Sequence, residues 1–213
     1  MARIPKEQAE RAPWVISAES SEELRKRYDE WAETYDSDLE DVDAYRAPQM
    51  VAEKLVEFGV PSGEVLDIAC GTGLTGAAFH EAGFTNLTGI DYSENMLAQA
   101  RKRNVYKSLR VADLNNPLAF DDNVFHAVTV VGLSLHFPPD AYHEIGRVLA
   151  PGGLIFFCGD GPSFTERGMR AVCDSYVNAG KWVLVEETEP FKPLPVSEPS
   201  LDYRIFIHQV IDK

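Results

Sequence analysis

An apolar run, Val65-Leu66-Asp67-Ile68-Ala69-Cys70, breaks into Gly71-Thr72-Gly73-Leu74-Thr75-Gly76, a spacing that can bring backbone amides against a ligand. A Gly-x-Gly-x-x-Gly turn between strand and helix lets the chain approach a nucleotide-like molecule closely. It also aims the helix's first N–H groups at that molecule. The bland alternative is that Gly71 and Gly73 only supply backbone angles closed to other residues. Asp67 separates the candidate ligands. Beside a dinucleotide's pyrophosphate, an acid just before the turn would set negative charge against negative charge. Beside the sulfonium and ammonium of S-adenosylmethionine (SAM) it would attract, directly or through water.

Two further acids follow candidate strands. Asp91 lies 20 residues after Gly71 and ends the run Leu87-Thr88-Gly89-Ile90, where a carboxylate can accept both hydroxyls of a ribose. NAD and SAM share that ribose, and a helix cap is the competing role, although Ser93 could cap instead. Asp113 ends Val111-Ala112-Asp113-Leu114 and could accept from an adenine amino group. Its alternative is to stabilise the turn Asn115-Asn116-Pro117. Cys70 lies within the turn, but no neighbouring base is evident to make it a nucleophile, so it reads as a packing residue.

The elements that must position these residues alternate. Strands are expected over 64–68, 86–90, 107–111, 125–131, 153–158, 182–187 and 203–210, with helices near 73–82, 93–103, 139–149 and 163–179. This order predicts an α/β, Rossmann-like, doubly wound sheet of seven strands, mostly parallel. The last two strands, joined by the segment Pro190 to Pro199 with no room for a helix, should pair antiparallel. Upstream, Leu24, Tyr28, Trp31, Tyr35, Leu39 and Val42 form one helical stripe, and Pro48 suits the first turn of a second helix over 49–58. Residues 1–17 lack a period and read as a loosely attached arm. Residues 1–60 are thus arm and covering helices, and 61–213 the core of the same domain. In such sheets ligands bind beyond the C-terminal strand edge. The loop from Val131 to His136 ends the fourth strand there, so His136 stands where a general base could act, an ordinary loop histidine being the other reading.

Asp67 to Gly76, Gly89-Ile90-Asp91-Tyr92-Ser93 with Met96-Leu97, Asp113, and Leu149-Ala150-Pro151-Gly152-Gly153 together resemble the successive motifs of class I SAM-dependent methyltransferases. Tyr28-Asp29-Glu30-Trp31-Ala32-Glu33-Thr34-Tyr35-Asp36 and Tyr45-Arg46-Ala47-Pro48 are similar to the Williams-Beuren-region methyltransferase-like subgroup. The resemblance implies SAM as cofactor and an N-terminal helical lid over its pocket. Tyr35, Tyr28 and Arg46 would be contacts, with Arg46 on the cofactor carboxylate. Met96 would pack on the adenine, and Ala69, Tyr92, Leu114 and Val131 would complete the set. Tyr28, Trp31 and Tyr35 can equally be core aromatics, and Met96 a core methionine.

The whole chain narrows the partners. With 213 residues and a net charge of −14, it fits one domain and argues against a nucleic-acid ligand. Residues 19–43 alone carry eleven acids and a net charge of −8, either a solvated face or a rim that attracts cations. Three widely spaced cysteines suggest neither a disulfide framework nor a metal site. The lack of a signal-like or membrane-length apolar run points to a cytoplasmic protein. The expected activity is methyl transfer from SAM to an O, N or S nucleophile of a small molecule. The alternatives are an NAD-dependent oxidoreductase and a non-catalytic SAM-binding regulator.

Overall fold

The computed structural model describes residues 10–43, 45–60, 63–132, 137–166, 168–196 and 198–211. Seven strands, β1 (Val65–Ile68), β2 (Leu87–Asp91), β3 (Ser108–Val111), β4 (Phe125–Val131), β5 (Leu149–Asp160), β6 (Trp182–Glu187) and β7 (Tyr203–Val210), form one sheet in the order β3-β2-β1-β4-β5-β7-β6. The first five pair in parallel, and β7 runs antiparallel to both neighbours. The terminal pair is therefore antiparallel as expected, with β7 inserted between β5 and β6.

Both faces of the sheet are covered, and its central strands β1, β2 and β4 are buried at most positions. Helices α4 (Ala47–Glu57) and α5 (Leu74–Glu81) bury Val51, Leu55 and Phe79 on one face against Ala127, Phe156, Ile205 and Ile207. On the other face Val128, Val130, Phe157 and Phe206 meet Tyr142 and Ile145 of α7 (Pro139–Val148), with Phe164 of α8 (Gly161–Glu166) and Cys173 of α9 (Met169–Asn178). Successive strand residues thus feed opposite cores, as a period of two requires. Helix α6 (Glu94–Arg103) starts where the Ser93 hydroxyl accepts from Met96 N–H at 3.0 Å. That assigns the cap to Ser93 and frees Asp91 from it.

Four expectations about the elements need correction. The N-terminal stripe is two helices, α2 (Ser21–Trp31) and α3 (Tyr35–Asp43), parted by a turn over 32–34. Trp31 is buried and donates its Nε1–H to Asp38 at 2.6 Å, which ties the end of α2 to the first turn of α3. Residues in the expected loose arm form α1 (Arg11–Ile16), with Val15 buried and Arg27 stacked 5.2 Å from the Trp14 ring. Strand β5 begins at Leu149, paired with Phe125, despite its Pro-Gly-Gly sequence. The last expected helix is split into α8 and α9.

Candidate functional site

The C-terminal edge of β1, β2, β3 and β4 opens into a cavity, where sheets of this kind bind their ligands. Its walls include Tyr28, Tyr35, Ala69, Gly71, Asp91, Tyr92, Met96, Asp113, Leu114 and Val131. Ten of the residues singled out in the sequence are therefore brought to one place by the topology.

Asp91 is the best-anchored polar group of this wall. Its Oδ2 accepts the Gly71 amide at 2.8 Å and its Oδ1 accepts the Ser93 amide at 2.8 Å. A carboxylate has about four acceptor sites, so capacity remains for a ligand's hydroxyl. Burial pushes its carboxyl up, while the Ser93 and Gly71 amides pull it back down. Gly71 has φ +55° and nothing within 4 Å of the position its Cβ would take. That empty volume belongs to the cavity, and it is where a ligand can approach the backbone. Met96 and Ala112 offer apolar surface beside Asp91. Asp113 spends acceptor sites on the turn, from Asn115 N–H at 2.9 Å and Asn116 Nδ2 at 3.1 Å. It still faces the cavity, so its two candidate roles coexist.

The lid helices close the outer side. Tyr28 and Tyr35 line the cavity with ring centroids 6.4 Å apart, while Trp31 packs behind Tyr35 at 4.7 Å. Burial, then the Asp91 charge, pushes the Tyr28 phenol up to about 12, and burial raises Tyr35 well above its usual range. Both are neutral donors near pH 7. Two carboxylates latch the lid to the ligand-facing turns. Asp29 accepts the Ser93 hydroxyl at 2.6 Å and its carbonyl accepts Asn95 Nδ2 at 3.0 Å. Asp36 accepts the Thr72 hydroxyl and pairs with Arg103 at 2.6 Å. The acidic stretch is thus neither simply solvated nor simply a rim, since its acids fasten α2 and α3 in place.

Three site expectations are not met. Asp67 is 1% exposed and its oxygens are taken by the Tyr106 hydroxyl at 2.6 Å and the Thr129 hydroxyl at 3.0 Å, so it sits beneath the turn and not on the cavity wall. A strand buried on both faces leaves its side chain no route outward. Gly73 caps α5 with φ +85°, and its Cβ position meets the Tyr106 ring at 3.1 Å, so its missing side chain makes room for that ring and it is not on the cavity wall. Arg46 heads α4, its N–H bound to Pro193 O at 3.1 Å, and lies in a separate groove between α4 and α5 with Glu53 and Glu81. His136 lies outside the described residues. Gly132 and Phe137, of the segment expected to face the reactive end, line the cavity, as does Arg25, which the sequence does not single out, nor does it single out Tyr106. The one clue to Tyr106 was Gly89 inside a strand, whose missing Cβ makes room for its ring.

The chain is similar in sequence and fold to known proteins. Residues 65–153 match a family model described as a methyltransferase domain. Human Methyltransferase-like protein 27 is 35% identical over 164 residues, covering 73% of this chain and 66% of its own length. The ubiquinone/menaquinone biosynthesis C-methyltransferase UbiE of Desulfotalea psychrophila is 43% identical over 98 residues, 43% of this chain and 39% of its own. The chain thus spans less than two thirds of either relative. Among solved structures, the [4+2]-cyclase SpnF superposes with a TM-score of 0.69 over 93% of this chain and 99% of its own at 17% identity, a likeness of fold alone.

Proposed function

Since this chain belongs to the class I SAM-dependent methyltransferases, alongside the Williams-Beuren-region-like relatives it resembles, we propose that it methylates a small-molecule nucleophile at the edge of the Asp91 cavity. The supporting observation is the Asp91 carboxylate, held by the Gly71 and Ser93 amides beside a glycine whose open side faces the same cavity. Those are the donor and acceptor types that a ribose and a close-lying cofactor backbone need. When bound, SAM supplies an activated methyl group on its sulfonium.

The chain's own part is to bind, orient and dehydrate. Asp91 holds the ribose, Met96 and Leu114 cover the adenine, and Tyr28 and Tyr35 keep water out. Near-attack positioning contributes up to about 7–11 kcal/mol in well-oriented intramolecular models, so amines and thiolates need no dedicated base. Val131, Gly132 and Phe137 line the cavity near the fourth strand's end, where we place the acceptor. The Tyr45 hydroxyl comes within 3.0 Å of the Cβ position of Gly132, and burial keeps that phenol neutral. A phenol or alcohol acceptor would require a base, which we assign to His136. The name of the bacterial relative favours a second acceptor chemistry, methylation at carbon. The family excludes the oxidoreductase alternative.

Incubating the protein with methyl-labelled SAM and a fractionated metabolite extract tests the proposal. Label should pass into a low-molecular-mass product, and Gly71→Val should abolish the transfer. Label that stays in SAM while the protein binds it would turn the assignment to the non-catalytic regulator.

A further inference from the structure

Helix α5 begins with a glycine at its N-cap and no side-chain cap of its own, directly after the turn that faces the cavity. Its third amide, Gly76 N–H, donates at 3.0 Å to the hydroxyl of Tyr106, a residue of the loop before β3. That hydroxyl donates in turn to Asp67 Oδ2 at 2.6 Å, and Thr129 of β4 donates to Oδ1 at 3.0 Å. The Tyr106 ring occupies the space of three absent side chains. A Cβ at Gly76 would fall 2.2 Å from it, at Gly89 3.0 Å, and at Gly73 3.1 Å.

We propose that Tyr106 is a positioning residue for the Gly71–Gly76 turn, capping α5 from outside the helix, so that Asp67 acts on the cofactor site through Tyr106 and not by contact. The helix N-terminus carries partial positive charge and unsatisfied N–H groups. Tyr106 satisfies one of them, and the Asp67 carboxyl behind it accepts its hydroxyl and orients it toward the helix end. The ring packs against the turn at Gly73 and Gly76 and against β2 at Gly89, and the hydroxyl locks the turn by hydrogen bonding. The acid that precedes the turn therefore has a structural partner that accounts for its position.

The inference rests on the cofactor reading above only for its binding arm. Three variants test it: Tyr106→Phe, which keeps the ring and removes the hydroxyl, Asp67→Asn, and the pair. Amide exchange at Gly76, followed by NMR without ligand, should quicken about tenfold in Tyr106→Phe. Affinity for S-adenosylhomocysteine, measured by calorimetry, should weaken about tenfold in each single variant. The pair should weaken it no further than the worse of the two, because both lie on one path. Unchanged exchange at Gly76 overturns the proposal, as does an additive loss in the pair, which would put Asp67 on the ligand by an independent route. Should Tyr106→Phe fail to fold, exchange at Gly76 in Asp67→Asn decides in the same sense. A wild-type protein that ignores S-adenosylhomocysteine counts against the cofactor reading, and the exchange result still stands.

Discussion

Gly71 and Asp67 occupy neighbouring positions in one motif and do opposite kinds of work. Gly71 presents an empty Cβ position to the cavity at φ +55°, so Gly71→Val is wrong twice, once for a β-branched residue at positive φ and once for the ligand it displaces. We expect that variant to fold with a modestly lowered melting temperature and to give no calorimetric heat with S-adenosylhomocysteine. Wild-type affinity would remove Gly71 from the site. Asp67 is buried, and that burial pushes its carboxyl up to about 7 against the opposing hydrogen bonds of Tyr106 and Thr129, with the Asp91 charge adding to the rise. In the unfolded chain the same group ionises near 3.8. The folded state therefore holds the proton more tightly, and this stabilisation is complete below pH ~4 and lost as pH rises through about 7. Urea denaturation of wild type and Asp67→Asn across that window should differ by a stability change of about 4 kcal/mol that the variant lacks. A difference that stays constant with pH would contradict the burial argument.

The elements explain why the lid is more than a cover. Helices α2 and α3 are tied by Asp29 to Ser93 and Asn95, and by Asp36 to Thr72 and Arg103, so the latches grip the same two turns that face the ligand. The partly exposed Asp36–Arg103 pair contributes ~0.2–1 kcal/mol, enough to bias opening and too little to prevent it. Asp36→Ala should speed release of S-adenosylhomocysteine about threefold to tenfold, read by stopped-flow tryptophan fluorescence through Trp31, and an unchanged release rate would mean the lid is not the gate. The order of strands was legible because apolar runs and glycine turns are local signals. The break between α2 and α3 was not, since it depends on Trp31 reaching Asp38 and contains no glycine or proline. Strand β5 was called short for the converse reason: Ala150-Pro151-Gly152-Gly153 reads as a turn, and pairing with β4 overrides it. Asp113 and Met96 could be placed at a strand end and on a helix face. The inward-facing role of Asp67 needed Tyr106, 39 residues away.

At the scale of the molecule, the sheet's C-terminal edge gathers residues from the lid, β1, β2, β3 and β4 around one cavity. No described helix is long and apolar enough to cross a membrane. A ligand that binds only the folded state stabilises it by about 2.7 kcal/mol at a hundred times its Kd. For a chain of this size that corresponds to a melting shift of about 5–10 °C, which S-adenosylhomocysteine should produce and adenosine should not match. The [4+2]-cyclase SpnF has a similar fold, so the ligand has to be established by binding and not by shape. Calorimetric titration of the wild-type protein with SAM and, separately, with NAD is the most direct measurement of that ligand. The expected result is one SAM per chain and no heat from NAD, and tight binding of NAD with silence from SAM would contradict the account.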